Sequence, residues 1–210
     1  MVKRIFVSFL FFAGCSEQQP QVFVEKAWFV NEAAERGLDF VWESGQGDFP
    51  YNPEIVSGGV ALLDVDGDDD LDIYMVQGGS VVNSKQKEYS NQLFINDGTG
   101  NFTNGTLKSG AGDTHFGTGV STGDYDNDGD VDLYITNVEG NVLLQNDGKG
   151  HFKNVTTFAG VGETRWGASS AFFDMDNDGD LDLYVANYID WTPATERECP
   201  AQTGLLDYCH

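Results

Sequence analysis

Basic residues are scarce in this chain: 11 lysines and arginines stand against 34 aspartates and glutamates, and the formal net charge is −23. A surface this acidic repels nucleic acid and anionic lipid, so we expect neither as a partner. Histidine is also rare, with three copies, and the H-E-x-x-H and glycine-rich phosphate-binding motifs are absent from the sequence. We therefore expect that these 210 residues do not form an enzyme.

The sequence also lacks an apolar stretch long enough to cross a bilayer. The apolar segment Ile5 to Ala13 has nine residues, follows a short basic region and leads to Cys15, an order that resembles a bacterial lipoprotein signal. Phe12 departs from the usual leucine of that motif, and an ordinary secretory signal or a buried strand are the alternatives. We predict a signal peptide at 1–15 with lipidation of Cys15, a polar tether at 16–27, and export to the cell envelope or beyond it. Membrane contact is then expected only through the N-terminal lipid anchor.

Only three cysteines are present. With Cys15 used for lipidation, Cys199 and Cys209 remain, and an exported protein favours a disulfide between them. Such a bond would close a loop of nine intervening residues and stabilise the fold by about 2–3 kcal/mol. Two unpaired thiols are the alternative.

Aspartate, asparagine and glycine are abundant, and they recur in register. The segment Asn96–Phe102 (NDGTGNF) returns fifty residues later as Asn146–Phe152 (NDGKGHF). The acidic segment Asp124–Asn137 (DYDNDGDVDLYITN) likewise returns fifty residues later, and an earlier copy, Asp64–Gln77, precedes it by sixty. Markers that recur in the same order at the same spacing establish an internal repeat.

Each repeat is predicted to consist of short strands, since apolar and polar residues alternate and Asn-Asp-Gly turns separate the runs. Four short antiparallel strands in about fifty residues are typical of one propeller blade. We predict an all-β fold, a β-propeller over residues 28–210 that is present as an incomplete arc of about three blades of a longer protein. Tyr74, Tyr134 and Tyr184 recur at one strand position and are expected to pack between blades, with carbohydrate stacking as the remote alternative.

The acidic segments place aspartates at positions 1, 3, 5, 7 and 9 of one short loop. Hard oxygen ligands in this number suit Ca²⁺, which takes six to eight oxygens. We predict side-chain ligands at positions 1, 3, 5 and 9 and a backbone carbonyl at position 7. Magnesium, which prefers a rigid octahedron, and an acidic turn without metal are the alternatives. The predicted metal-site residues are Asp64, Asp66, Asp68, Asp70, Asp72, Asp124, Asp126, Asp128, Asp130, Asp132, Asp174, Asp176, Asp178, Asp180 and Asp182.

The first of these loops differs from the others at position 6, where Asp69 replaces Gly129 and Gly179. Glycine adopts the positive φ of a sharp turn freely, whereas aspartate does so at some cost. We predict up to three Ca²⁺ ions, with the first loop binding more weakly or with altered geometry. None of the loops is an EF-hand, because position 12 is not glutamate.

Together these motifs resemble the FG-GAP/VCBS repeat of integrin-type β-propellers, with Phe116-Gly117 and Trp166-Gly167 at the FG position. More narrowly, the chain resembles bacterial relatives of cartilage acidic protein, because Thr195 to Cys209 is similar to the cysteine-bearing insertion that follows a calcium loop in those proteins. The resemblance implies a calcium-loaded seven-bladed propeller with an insertion at 188–210.

The function that follows is an exported calcium-binding module for protein or glycan interaction, or adhesion, at the cell surface. Calcium is expected to be mainly structural, with an ion that bridges to a ligand as the alternative. His115, Phe116, Arg165 and Trp166 are predicted to form a variable binding rim, and a catalytic His115 is the less favoured interpretation. The alternative function is part of a propeller enzyme of polysaccharide-lyase type, whose active site would lie in blades outside these residues.

Overall fold

The computed structural model describes residues 27–47, 49–56, 58–82, 89–200 and 206–208. The predicted signal peptide with Cys15, most of the predicted tether, and Cys209 lie outside these residues. The chain divides into Met1–Asn31 and Glu32–His210, and every helix and strand described below belongs to the second unit. Within the described residues, no helix is long and apolar enough to span a membrane.

Two four-stranded antiparallel sheets form the first two repeats, and in both the strands pair in chain order. The first sheet contains β1 (Val60–Leu63), β2 (Asp72–Met75), β3 (Gln92–Asn96) and β4 (Phe102–Asn104). The second contains β5 (Gly117–Gly123), β6 (Asp132–Asn137), β7 (Val142–Asn146) and β8 (Phe152–Asn154). The registers correspond, since Ile73 faces Phe94 in the first sheet as Leu133 faces Leu144 in the second.

The third repeat has two strands among the described residues, β9 (Gly167–Phe173) and β10 (Asp182–Asn187), which pair with each other. A small hairpin of β11 (Cys199–Pro200) and β12 (Leu206–Asp207) follows. Short helices α1 (Thr106–Ser109) and α2 (Thr156–Ala159) end the first two repeats, and single 3₁₀ turns occur at Asn52–Ile55 and Pro193–Thr195. The fold is thus mostly β, with several small antiparallel sheets, as predicted. None of the described sheets closes, so the propeller ring stays a prediction.

The Asn-Asp-Gly signals form the tight turns between the third and fourth strands. Gly98 and Gly148 adopt φ of 77° and 67°, a left-handed conformation that favours glycine. The turns are closed by backbone hydrogen bonds from Asp97 to Asn101 (3.0 Å) and from Asp147 to His151 (3.1 Å). His151 therefore serves as a turn residue, in the place that Asn101 takes in the first repeat.

The repeats pack side by side through their first strands, since β1 contacts β5 and β5 contacts β9. Glycine permits this close approach: a Cβ at Gly59 would lie 3.2 Å from the Cα of Gly119. Two of the recurrent tyrosines are anchored by their hydroxyl groups. Tyr74 donates to the carbonyl of Ala111 at 2.8 Å, and Tyr134 donates to the carbonyl of Val161 at 2.9 Å. Both rings are fully buried, which supports blade packing as their role. Tyr184, in the third repeat, is 64% exposed.

Candidate metal centre

Three acidic loops join β1 to β2, β5 to β6, and β9 to β10. In each loop, carboxylate oxygens from positions 1, 3 and 9 all lie within 4.8 Å of one another. Three converging carboxylates in one loop are a donor set for a hard divalent cation. The three triads are Asp64, Asp66 and Asp72; Asp124, Asp126 and Asp132; and Asp174, Asp176 and Asp182.

The carboxylate at position 1 holds each loop in its turn. Both oxygens of Asp124 accept backbone N–H groups, from Asp128 and Gly129, each at 3.0 Å. Asp64 and Asp174 accept equivalent bonds from their own loops at 2.7–3.1 Å. Such charge-assisted hydrogen bonds are stronger than neutral ones. The loop backbone is therefore organised by the same carboxylate that forms part of the triad.

The carboxylate at position 9 ties the loop to the sheet. Asp132 begins β6, is fully buried, and accepts the N–H groups of Tyr125 (3.1 Å) and Asn146 (2.8 Å). Asp72 repeats the arrangement in the first repeat. Burial raises the pKa of Asp132 to about 6, although the two N–H donors oppose the shift, and burial also raises the pKa of Asp72. A bound cation would favour the ionised form and oppose this cost of burial.

Position 5 is not part of the three triads, and its role as a metal ligand stays a prediction. Oδ1 of Asp68, Asp128 and Asp178 accepts the N–H of position 7 at 2.9–3.0 Å. This local hydrogen bond is the usual competitor for a short acidic side chain in a turn. The side chains at position 7 of the first two loops lie against the following Asn-Asp-Gly turns, since a Cβ at Gly98 would lie 2.6 Å from Oδ2 of Asp70 and a Cβ at Gly148 would meet the carboxylate of Asp130. A ligand role for the position 7 carbonyl stays a prediction.

The first loop keeps the backbone of the other two. Positions 4 and 6 are left-handed in every loop, with Gly67 at φ 76° and Asp69 at φ 69° in the first. In the second loop Asn127 has φ 56° and Gly129 φ 95°. Loop 1 thus has its glycine at position 4 rather than at position 6 and retains its carboxylate triad. Its weaker or geometrically altered metal binding stays a prediction, based on the left-handed conformation of Asp69, which disfavours a side chain.

Two amides that the sequence interpretation missed contact the loops. Nε2 of Gln145 donates to Oδ2 of Asp126 at 2.6 Å. Nδ2 of Asn127 donates to Oδ1 of Asp180 at 2.7 Å. This hydrogen bond links the second loop to the third loop, in the neighbouring repeat. The recurrence of asparagine at position 4 could have indicated that this residue has a specific role in the loop. Asparagine is one of the few residues that adopt the left-handed conformation readily.

The expected binding rim is corrected for its aromatic members. Phe116 and Trp166 are each 2% exposed and lie in a core cluster with Val81, Val138 and Trp191. Trp166 contacts Trp191 edge to face, with ring centroids 5.9 Å apart. These rings were predicted to lie on an exposed binding rim. Large aromatic side chains bury much apolar surface, and both rings pack into the core instead.

The two basic rim residues remain near the surface, and each forms a local ion pair. Nδ1 of His115 lies 2.6 Å from Oδ1 of Asp113, and Arg165 pairs with Glu163 at 2.7 Å. The hydrogen bond to Asp113 raises the pKa of His115 against the opposing effect of burial. These pairs occupy corresponding positions in the second and third repeats. The pairing gives His115 a structural role, and the catalytic alternative for it stays untested.

Of the two cysteines predicted to form a disulfide, Cys199 lies within the described residues. Cys199 lies in β11 and is disulfide-bonded. Its predicted partner, Cys209, lies outside the described residues, so the pairing itself stays a prediction, as does lipidation of Cys15.

A comparison with protein families matches residues 64–135 and residues 124–185 to the FG-GAP-like repeat. No curated protein matches the chain, and the narrower resemblance to cartilage acidic protein relatives stays a prediction. The two matches include all three acidic loops, and each begins at position 1 of a loop and ends in the second strand of the following repeat. Repeats of this kind are typical of extracellular proteins. Since the matched residues 64–185 are more than half of the 210 in the sequence, the chain belongs to the FG-GAP-like repeat family.

Proposed function

We propose that this chain binds Ca²⁺ at its three acidic loops and acts as an exported interaction module. The observation that carries the metal assignment is the threefold recurrence of one triad, with oxygens from positions 1, 3 and 9 within 4.8 Å. Carboxylates at this separation repel one another, and the repulsion grows where the groups are partly withdrawn from water. A cation bound in each loop would attract all three carboxylates and so offset their mutual repulsion.

Calcium is the ion that these donors favour. All converging side chains offer carboxylate oxygens, which suit hard cations, and no histidine or cysteine joins a triad. Three carboxylates fall short of the six to eight oxygens that Ca²⁺ takes, so the loop carbonyl at position 7 and water are assigned the remaining places. Mg²⁺ is disfavoured because it demands a near-ideal octahedron and gives up its waters reluctantly.

The proposed role of the metal is mainly structural. Each loop joins the first two strands of a repeat, and its position 9 is hydrogen-bonded to the third strand where that strand is described. Asn127 extends the connection to the third loop. An ion in each loop would therefore stabilise the sheets and the seam between them, and binding only to the folded chain raises its stability by mass action.

The proposed biological role is protein or glycan interaction at the surface of the cell. FG-GAP repeats suggest an extracellular interaction module, and the strongly acidic surface is incompatible with nucleic acid as a partner. We retain as parts of this proposal the N-terminal lipid anchor, the arc of a β-propeller, and the absence of catalysis by these residues.

Calorimetric titration of the full chain with CaCl₂ tests the metal assignment. We expect saturable binding with Kd between about 10⁻⁶ and 10⁻³ M, weaker binding of MgCl₂, and a rise in melting temperature with CaCl₂. A titration without heat, together with an unchanged melting temperature, would refute it.

A further inference from the structure

A cleft of about 300 Å³ lies where the first and second repeats meet, beside the first acidic loop. One wall comes from the first repeat, with Ile95 on β3 and Lys108 on α1. The other comes from the β7–β8 turn of the second repeat, with Lys149 and His151, and Asp66 of the first loop also lines the cleft. Both repeats are therefore needed to form it.

The two lysines stand out in a chain with a net charge of −23. Arg36 and Arg165 are neutralised by Glu32 and Glu163. Lys108 and Lys149 form no ion pair with any residue that the structure describes. Two ammonium groups without an ion-pair partner in one small cleft offer charge-assisted contacts to an anion, against the opposing charge of the Asp66 carboxylate on the same lining.

The walls of the cleft are fixed to each other before any ligand arrives. The carbonyl of Val65, next to Asp66, accepts the N–H of Gly150 at 2.8 Å and Nδ2 of Asn146 at 3.0 Å. These bonds hold the turn that carries Lys149 against the first loop. A site that is already assembled loses less entropy on binding than one that must be ordered.

The first loop is open on this side, whereas the second is covered. In the second repeat Gln145 donates to Asp126 at 2.6 Å. Ile95 takes the corresponding place in the first repeat, since it faces Thr103 across the sheet as Gln145 faces Lys153. Asp66 therefore lacks that amide donor and borders the cleft directly. A cation held by Asp66 would add positive charge to the same space.

We propose that this cleft binds the carboxylate or sulfate group of an acidic sugar. Lys108 and Lys149 are the cationic contacts, and the Ca²⁺ of the first loop contributes a third positive charge, a part of the inference that rests on the proposed function. The volume suits a sugar residue rather than a large ligand. Ile95 is the one large apolar side chain in its lining, whereas Thr103 and His151 supply polar groups for sugar hydroxyls. This polarity favours a glycan over an acidic peptide.

The test is calorimetric titration of the full chain, saturated with CaCl₂, with trigalacturonate and separately with galactose 6-sulfate. These probes distinguish a carboxylate from a sulfate ligand, with maltotriose as the neutral control. We expect at least one acidic probe to bind and maltotriose not to bind. Lys108→Gln and Lys149→Gln should each weaken binding about tenfold, as expected for the loss of a charge-assisted contact. Lys153→Gln, which removes a lysine outside the cleft lining, should leave it unchanged.

Several results would overturn the inference: no binding of either acidic probe, equal weakening by Lys153→Gln, or tighter binding of triglutamate than of both acidic sugars. The failure of this inference is distinguishable from failure of the metal assignment, because CaCl₂ binding is measured before any sugar is added. A chain that binds CaCl₂ and neither acidic sugar refutes the cleft alone. A chain that binds an acidic sugar through Lys108 and Lys149 but no CaCl₂ refutes the metal assignment and leaves the lysine contacts standing.

Discussion

Substitution of Asp132 by asparagine separates the metal role of this residue from its role in the backbone. The carboxylate is fully buried and accepts two N–H groups, from Tyr125 and Asn146. Asparagine keeps one acceptor oxygen but turns an NH₂ group toward the second N–H, which costs about 1–3 kcal/mol. The substitution also removes a charge that burial disfavours, as the raised pKa of about 6 shows. A shift of this size corresponds to a gain of up to about 3 kcal/mol, and less where water screens the site.

These two effects oppose each other, so Asp132→Asn should change the stability of the calcium-free chain little. With Ca²⁺ the result should differ, because the variant loses a ligand. An ion present at about a hundred times its Kd stabilises the fold by about 2.7 kcal/mol, and most of that contribution from the second loop should vanish. For a chain of this size the loss corresponds to roughly 5–10 °C in melting temperature.

The measurement is thermal unfolding of the wild type and Asp132→Asn in CaCl₂ and in EDTA. Glu139→Gln is the matched control, since it removes one exposed carboxylate outside the loops. We expect the variant to lose stability in CaCl₂ alone. An equal loss in CaCl₂ and in EDTA would show that Asp132 acts through its hydrogen bonds, and the metal assignment for that loop would fail.

Two further predictions concern His115 and the first loop. The raised pKa of His115 means that its pairing with Asp113 contributes stability in full below the unfolded pKa of about 6.5 and loses it as pH rises through the higher folded value. Urea unfolding between pH 5 and 9 should show stability falling across that window, and His115→Gln should flatten the curve; an unchanged slope would contradict the assigned pair. Asp69→Gly should relieve the positive φ of 69°, raise the melting temperature by a few degrees and tighten Ca²⁺ binding in the first loop. Asn127→Gly replaces the left-handed non-glycine residue of the second loop, which stands at position 4, and should lose the bond to Asp180. An equal gain in both variants would therefore argue against this reasoning.

The repeat, its strands and the place of the acidic loops were predictable because their causes are local. Alternation of apolar and polar residues sets a strand, and an Asn-Asp-Gly turn sets a hairpin, within a few residues. The burial of Tyr74 and Tyr134 was also predictable from their shared strand position. The carboxylate triads were not fully predictable, because spacing places five aspartates in a loop without showing which of them converge. Asp128 accepts a local N–H, while Asp132 reaches the triad from the first residue of a strand.

The sequence by itself determined a chain of β repeats with an acidic loop in each, since periodicity and turn chemistry act between near neighbours. Only the tertiary structure decided which side chains meet. Packing of the repeats buried Phe116 and Trp166 and brought Lys108 and Lys149, forty-one positions apart in the sequence, to one cleft. Burial and convergence depend on how one sheet lies against the next, and that arrangement follows from the summed packing of both repeats rather than from any single motif.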